Sequence, residues 1–114
     1  MPSQSLNLLF LCSMNQWRSP TAERIYGRKP FFNARSGGTS SKARHRVSHT
    51  DVHWADVIFV MENKHKRRLQ AKYPELMRYQ NVHVLDIEDN YKFMDPELVD
   101  ILQRSIDPIL ADYS

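Results

Sequence analysis

An α/β fold, with a parallel sheet wrapped by helices, is what this sequence predicts, and three observations predict it. Short apolar runs alternate with segments of helical period along most of the chain. The first run, Leu6-Asn7-Leu8-Leu9-Phe10-Leu11-Cys12, is nearly continuous, as in a strand buried on both faces. No repeat, low-complexity tract or linker divides residues 1–114, so a single domain is expected.

The elements follow in order. After the first strand, Ser19-Pro20 reads as a helix start with proline at the first helical position. Ala22, Ile25 and Tyr26 give that helix an apolar stripe, and Gly27 stops it. Phe31 to Ser36 reads as a second strand closed by Gly37-Gly38, followed by a loop or short helix. Val57 to Met61 is a third strand, and Asn63 to Tyr73 a basic helix ended by Pro74. Val82 to Ile87 makes a fourth strand. Asp95-Pro96 then opens a helix whose Leu98, Ile101, Leu102, Ile106, Ile109 and Leu110 keep the helical period. Pro108 should kink that helix or end it early.

Composition narrows the function classes. The longest apolar run is far too short to span a bilayer, and Met1 to Asn7 lacks a basic n-region, so no export signal is read. A cytoplasmic protein without a membrane partner is expected. Cys12 is the single cysteine, which rules out an intramolecular disulfide and leaves buried filler or a reactive nucleophile. Residues 28–72 carry a balance of +8 and residues 73–114 one of −6, which points to an acidic ligand or partner on the basic half. Lys64, Lys66, Arg67 and Arg68 read more blandly as the solvated face of a helix. His49 and His53 share an i, i+4 spacing, but without a zinc motif no metal site is read. Trp54 and Phe59 are expected in the core.

In such sheets ligands sit outside the carboxyl ends of the strands, and Cys12 lies at the carboxyl end of the first. From there the chain reads Cys12-Ser13-Met14-Asn15-Gln16-Trp17-Arg18-Ser19-Pro20: a cysteine, five residues, an arginine, then a hydroxyl. A turn of this length can point successive backbone N–H groups inward as an anion nest, and the following helix adds its positive end. Both effects favour a thiolate. Arg18 can fold over the loop and grip two phosphoryl oxygens, while Ser19 can donate to the sulfur.

The stretch Leu8 to Pro20 resembles the phosphate-binding loop of low-molecular-weight protein tyrosine phosphatases. Ser36-Gly37-Gly38-Thr39 resembles that family's second-strand end, and Ala55 to His65 its third strand and following helix. Ile87-Glu88-Asp89-Asn90-Tyr91 resembles its acid loop, usually Asp-Pro-aromatic. The resemblance implies a three-layer, four-stranded parallel sheet flanked by helices, with a phosphatase-type Cys-x5-Arg loop after the first strand. It also implies metal-free, cofactor-free chemistry through a cysteinyl phosphate. Asn15 would support the loop by bonding neighbouring backbone or Ser36. Ser13, Met14, Asn15, Gln16, Trp17, Ser19 and Tyr91 would line the substrate. The sequence departs from the pattern in four places. It is shorter between Thr39 and Trp54, Met14 stands for a glycine, Trp17 for a second cysteine, and Asn90 for the proline after the acid.

A leaving oxygen needs a proton. Among Asp86, Glu88, Asp89 and Asp95, Asp89 matches the family's acid by position. Asp95 is second, because its place before Pro96 reads as an N-cap. Asp89 acting first as acid and then as base predicts a bell-shaped pH profile. The expected function is a phosphomonoester hydrolase, a protein-tyrosine phosphatase, acting on a phosphorylated protein or another phosphomonoester. The alternatives are a phosphatase of nucleotide or RNA termini, suited by Arg28, Lys42, Arg44 and Arg46, and a phosphate-binding module without turnover. Arsenate reduction ranks last, since it needs further cysteines for a relay.

Overall fold

The computed structural model describes residues Ser5 to Tyr113, so most of the segment read for an export signal, Met1 to Gln4, and Ser114 lie outside the described residues. The elements are β1 (Leu6–Cys12), α1 (Arg18–Tyr26), β2 (Phe32–Gly38), α2 (His49–Trp54), β3 (Val57–Val60), α3 (Asn63–Lys72), α4 (Pro74–Met77), β4 (Asn81–Val84) and α5 (Pro96–Ala111). All pairings are parallel and the strand order is β2-β1-β3-β4. The α/β architecture with a four-stranded parallel sheet is as the sequence predicts.

The apolar run of β1 explains itself once the sheet is built. Leu8, Phe10 and Cys12 face a cluster with Ala22 and Tyr26 of α1 and Leu98, Leu102, Ile106 and Leu110 of α5. Leu9 and Leu11 face the other way, towards Val47, Val52, Ile58, Val60 and Leu69. Both faces of the strand are therefore covered, which removes the need for alternation. Phe10 stacks between Tyr26 and Phe59, with ring centroids 5.7 and 5.4 Å away. Truncating either phenylalanine to alanine would cost about 3–5 kcal/mol. Among the described residues, no helix is long and apolar enough to cross a membrane.

Several boundaries differ from the sequence reading for local reasons. Helix α1 begins at Arg18, so Pro20 sits in its first turn rather than at its first position. Proline is tolerated there because the early N–H groups have no intrahelical acceptor. Both glycines after Ser36 belong to β2. Pro74 ends α3 and also opens the short α4, which the sequence reading did not foresee. The fourth strand stops at Val84, and Asp86 just beyond it has φ 56°, which no strand accommodates. Pro108 does not end α5 early, and the helix runs to Ala111. Its ring costs one bond near the terminus, while buried Ile106 and Leu110 on either side hold the last turn to the core. Asp95 caps α5, accepting from the Glu97 N–H at 2.9 Å.

β1 is flanked by β2 on one side and β3 on the other, so successive crossovers leave it in opposite directions. Its carboxyl end is thus the switch point where an open parallel sheet forms a crevice. The loop from Cys12 to Arg18 occupies that crevice.

Candidate active site

The loop is shaped by bonds to its outer side. The carbonyls of Cys12, Ser13 and Met14 accept the N–H groups of Thr39 (2.9 Å), Ser40 (3.0 Å) and Arg44 (3.0 Å). The Asn15 carbonyl accepts from Arg44 Nε at 3.1 Å. In a trans peptide the following N–H points opposite the carbonyl. Four outward carbonyls therefore turn the N–H groups of Ser13, Met14, Asn15 and Gln16 towards the loop's centre, the geometry of an anion nest. The short segment after β2 supplies three of those outer donors through its backbone. Its close approach explains Gly38, where an added Cβ would collide with the Ser13 carbonyl and the Ala43 side chain.

Behind the sulfur runs a chain of donors. Cys12, 3% exposed, has its Sγ 3.0 Å from Ser19 Oγ. Asn15 Nδ2 donates to Ser19 Oγ (3.0 Å) and to Ser36 Oγ (2.9 Å), and Ser36 in turn donates to Glu23. Ser19 thus accepts from Asn15 and keeps one proton to give. The Gly37 carbonyl at 3.3 Å is long for an O–H···O bond, so the sulfur is the better acceptor. Asn15 adopts φ 56° in making these contacts, a conformation asparagine tolerates better than most side chains.

Arg18 is 2% exposed and held from two sides: Nη1 donates to Glu62 Oε2 at 2.5 Å and to the Ile87 carbonyl at 2.7 Å. Its buried Nε has no hydrogen-bond partner among the described residues, although Asp89 Oδ1 lies 3.5 Å away. A buried, unpartnered guanidinium N–H beside a nest is a donor poised for an anion. Cys12, Met14, Gln16, Trp17, Arg18 and Asp89 line one small cavity of about 30 Å³.

The structure brings most, not all, of the sequence-selected residues to that cavity. Ser13 turns aside to His65, Asn15 and Ser19 act from behind the loop, and the Tyr91 hydroxyl donates to Glu97 at 2.9 Å. Lys92 lies over the Trp17 ring, 4.8 Å from its centroid. Asp95 is taken up by its cap. Phe59 is fully buried, whereas Trp54 is half-buried with Arg35 stacked on it at 4.1 Å. The rings of His49 and His53 stack on each other, 6.3 Å apart.

Two functional-looking residues escaped sequence reasoning. Glu62, just past β3, is held below the usual carboxylate range by its bond from Arg18. His65 is fully buried, its Nδ1 accepting the Glu62 N–H at 3.0 Å, so its proton sits on Nε2 and is donated to Ser13 Oγ at 2.9 Å. Burial, and then the Arg18 charge, pushes His65 down to about 4. The available signal was positional: both lie where the carboxyl end of a central strand meets a helix, three residues apart as in a capping box.

No family model matches the chain, and no curated protein matches it by sequence. Solved structures do. A low-molecular-weight protein tyrosine phosphatase from T. tengcongensis superposes with a TM-score of 0.77 at 23% identity, covering 95% of this chain and 99% of that one. The tyrosine phosphatase Wzb from Escherichia coli, in complex with phosphate, gives 0.77 at 18% identity, with 95% and 98% covered. This chain has the low-molecular-weight phosphatase fold. The YwlE arginine phosphatase from Geobacillus stearothermophilus shares that phosphatase fold too, with a TM-score of 0.70 at 17% identity and 94% of both chains covered. The fold thus hosts tyrosine and arginine phosphatases alike, and side chains at the cavity must decide between them.

Proposed function

We propose that this chain is a cysteine-dependent phosphomonoester hydrolase acting on phosphotyrosine in proteins. The observation that carries the reading is the single cavity shared by Cys12, Arg18 and Asp89 at the carboxyl end of β1. The Cys12 thiolate attacks phosphorus in line, forming an S–P bond as the P–O bond to the leaving group breaks. Loop N–H groups and Arg18 hold the equatorial oxygens. Asp89 gives its proton to the departing oxygen, then takes one from the water that cleaves the cysteinyl phosphate. Ser19, fed by Asn15, stabilises the sulfur as attacking and as leaving group.

Cys12→Ser is the deciding variant. It should abolish p-nitrophenyl phosphate hydrolysis while retaining vanadate or phosphate binding, and normal turnover by it would refute the assignment. A kinetic screen of phosphotyrosine, phosphoserine, phosphoarginine and terminally phosphorylated RNA then identifies the substrate, with phosphotyrosine expected to lead. The neighbours that act on tyrosine and on arginine make the phosphoarginine arm of that screen necessary.

A further inference from the structure

One cavity is far larger than the catalytic one. It is a groove of about 740 Å³ between α1 and the β2 edge, lined among others by Arg24, Arg28, Arg35, Arg44 and Phe93. A second cavity of about 390 Å³ shares Arg44 and Phe93 with it and reaches Gln16 and Trp17, which also line the catalytic cavity. Shared walls thus place the three side by side, in sequence from the β2 edge to Cys12.

The charge in this groove is one-sided. Its one carboxylate, Glu23, already accepts from Ser36. Arg35 is paired with Asp51 at 3.4 Å, and Arg44 Nε is bonded to the Asn15 carbonyl. Arg24 and Arg28 are exposed and have no carboxylate partner among the described residues. β2 is an edge strand, paired with β1 on one side, and its other side is bridged at Gly38 by Arg46. The edge from Phe32 to Ser36 offers backbone groups to an extended chain. A nucleic acid could use the arginines but not that edge, so the combination favours a peptide.

We propose that this groove receives an acidic, extended segment flanking the phosphorylated residue of a protein substrate, with Arg24 and Arg28 reading its carboxylates. The proposal deepens the phosphatase reading and rests on it for the position of the phosphoryl group. Phe93, 45% exposed, provides an apolar contact where the segment turns towards Trp17.

The test uses the whole chain and two readouts. In fluorescence anisotropy, a labelled unphosphorylated Asp/Glu-rich peptide is compared with a Ser/Gly-rich peptide and with a single-stranded oligonucleotide. The acidic peptide should bind best, and Arg24→Glu with Arg28→Glu should weaken it roughly tenfold, with Arg24→Gln and Arg28→Gln in between. In kinetics, the same reversal should raise KM for an acid-flanked phosphotyrosine peptide by about the same factor, leaving kcat and p-nitrophenyl phosphate hydrolysis unchanged. Equal binding of acidic and neutral peptides would overturn the proposal. So would an oligonucleotide that responds to the reversal while the peptide does not. Absence of p-nitrophenyl phosphate turnover would instead sink the phosphatase reading, and the anisotropy arm would still decide the groove.

Discussion

Acidification should destabilise this protein through His65, and the size of the effect follows from its surroundings. The imidazole is fully buried, lies beside Arg18, and uses Nδ1 to accept the Glu62 N–H. Protonation would replace that acceptor with a donor facing a donor and bring a second cation next to a guanidinium. His65 is accordingly pushed down to about 4, against about 6.5 in an unfolded chain. Above pH 6.5 the residue is neutral in both states and its contribution is complete. Between 6.5 and 4 the unfolded chain takes up the proton and the folded one does not, so stability falls as pH falls. The full loss is about 3 kcal/mol, at up to ~1.4 kcal/mol per pH unit, a large share of the ~5–15 kcal/mol that holds a domain folded. Urea unfolding at a series of pH values from 7 to 4.5 measures it. His65→Gln, which cannot titrate but can still accept and donate, serves as the reference. Its stability should decline less steeply over that range, the remainder coming from Glu62 and Asp51. Burial pushes Asp51 up, but hydrogen bonds from His45 and Ser48 pull it below the ordinary carboxylate value. Parallel curves for the two proteins would refute the reasoning.

Three further outcomes are expected. Glu62→Ala leaves the buried Arg18 with an exposed Asp89 at 3.5 Å as its remaining carboxylate, and should cost about 2 kcal/mol in urea unfolding together with a raised KM, Glu62 itself being partly solvated. Asp89→Asn should lower kcat for an alkyl phosphate roughly 10²–10⁴-fold and remove one limb of the bell-shaped pH profile, with a smaller loss on p-nitrophenyl phosphate, whose leaving group needs less protonation. Phe31 sits at φ 76° with 56% of its surface exposed, so Phe31→Gly should stabilise the chain by about 1 kcal/mol, read as a higher urea midpoint.

Local chemistry was legible wherever a residue's role depends on its neighbours in sequence. The unbroken apolar run of β1 announced a strand covered on both faces, and the Asp95-Pro96 pair announced the cap of α5. The Cys12 to Arg18 spacing located a loop at the crevice for the same reason: seven consecutive residues contain it. What stayed hidden depends on distance through the fold. Glu62 becomes Arg18's anchor only because β3 lies beside β1, and His65 reaches Ser13 only because α3 starts there. Arg44 read as a cation for a nucleotide or RNA terminus, yet it holds two loop carbonyls through its backbone and side chain. Proline's meaning is set by helix ends: Pro74 closes α3 as expected but also begins α4, and Pro108 stands close enough to an end that a single lost bond is tolerated.

The anchoring of Arg18 has a consequence for how the protein is made. Its guanidinium is fixed by Glu62, at the end of β3, and by the Ile87 carbonyl beyond β4. A growing chain displays the thiol early, since residues emerge from the ribosome in order, but both anchors lie far downstream of Cys12 in the chain. A nascent or truncated product therefore carries a cysteine without an assembled anion clamp. Competence to grip a phosphoryl group is deferred until most of the polypeptide has been synthesised and folded.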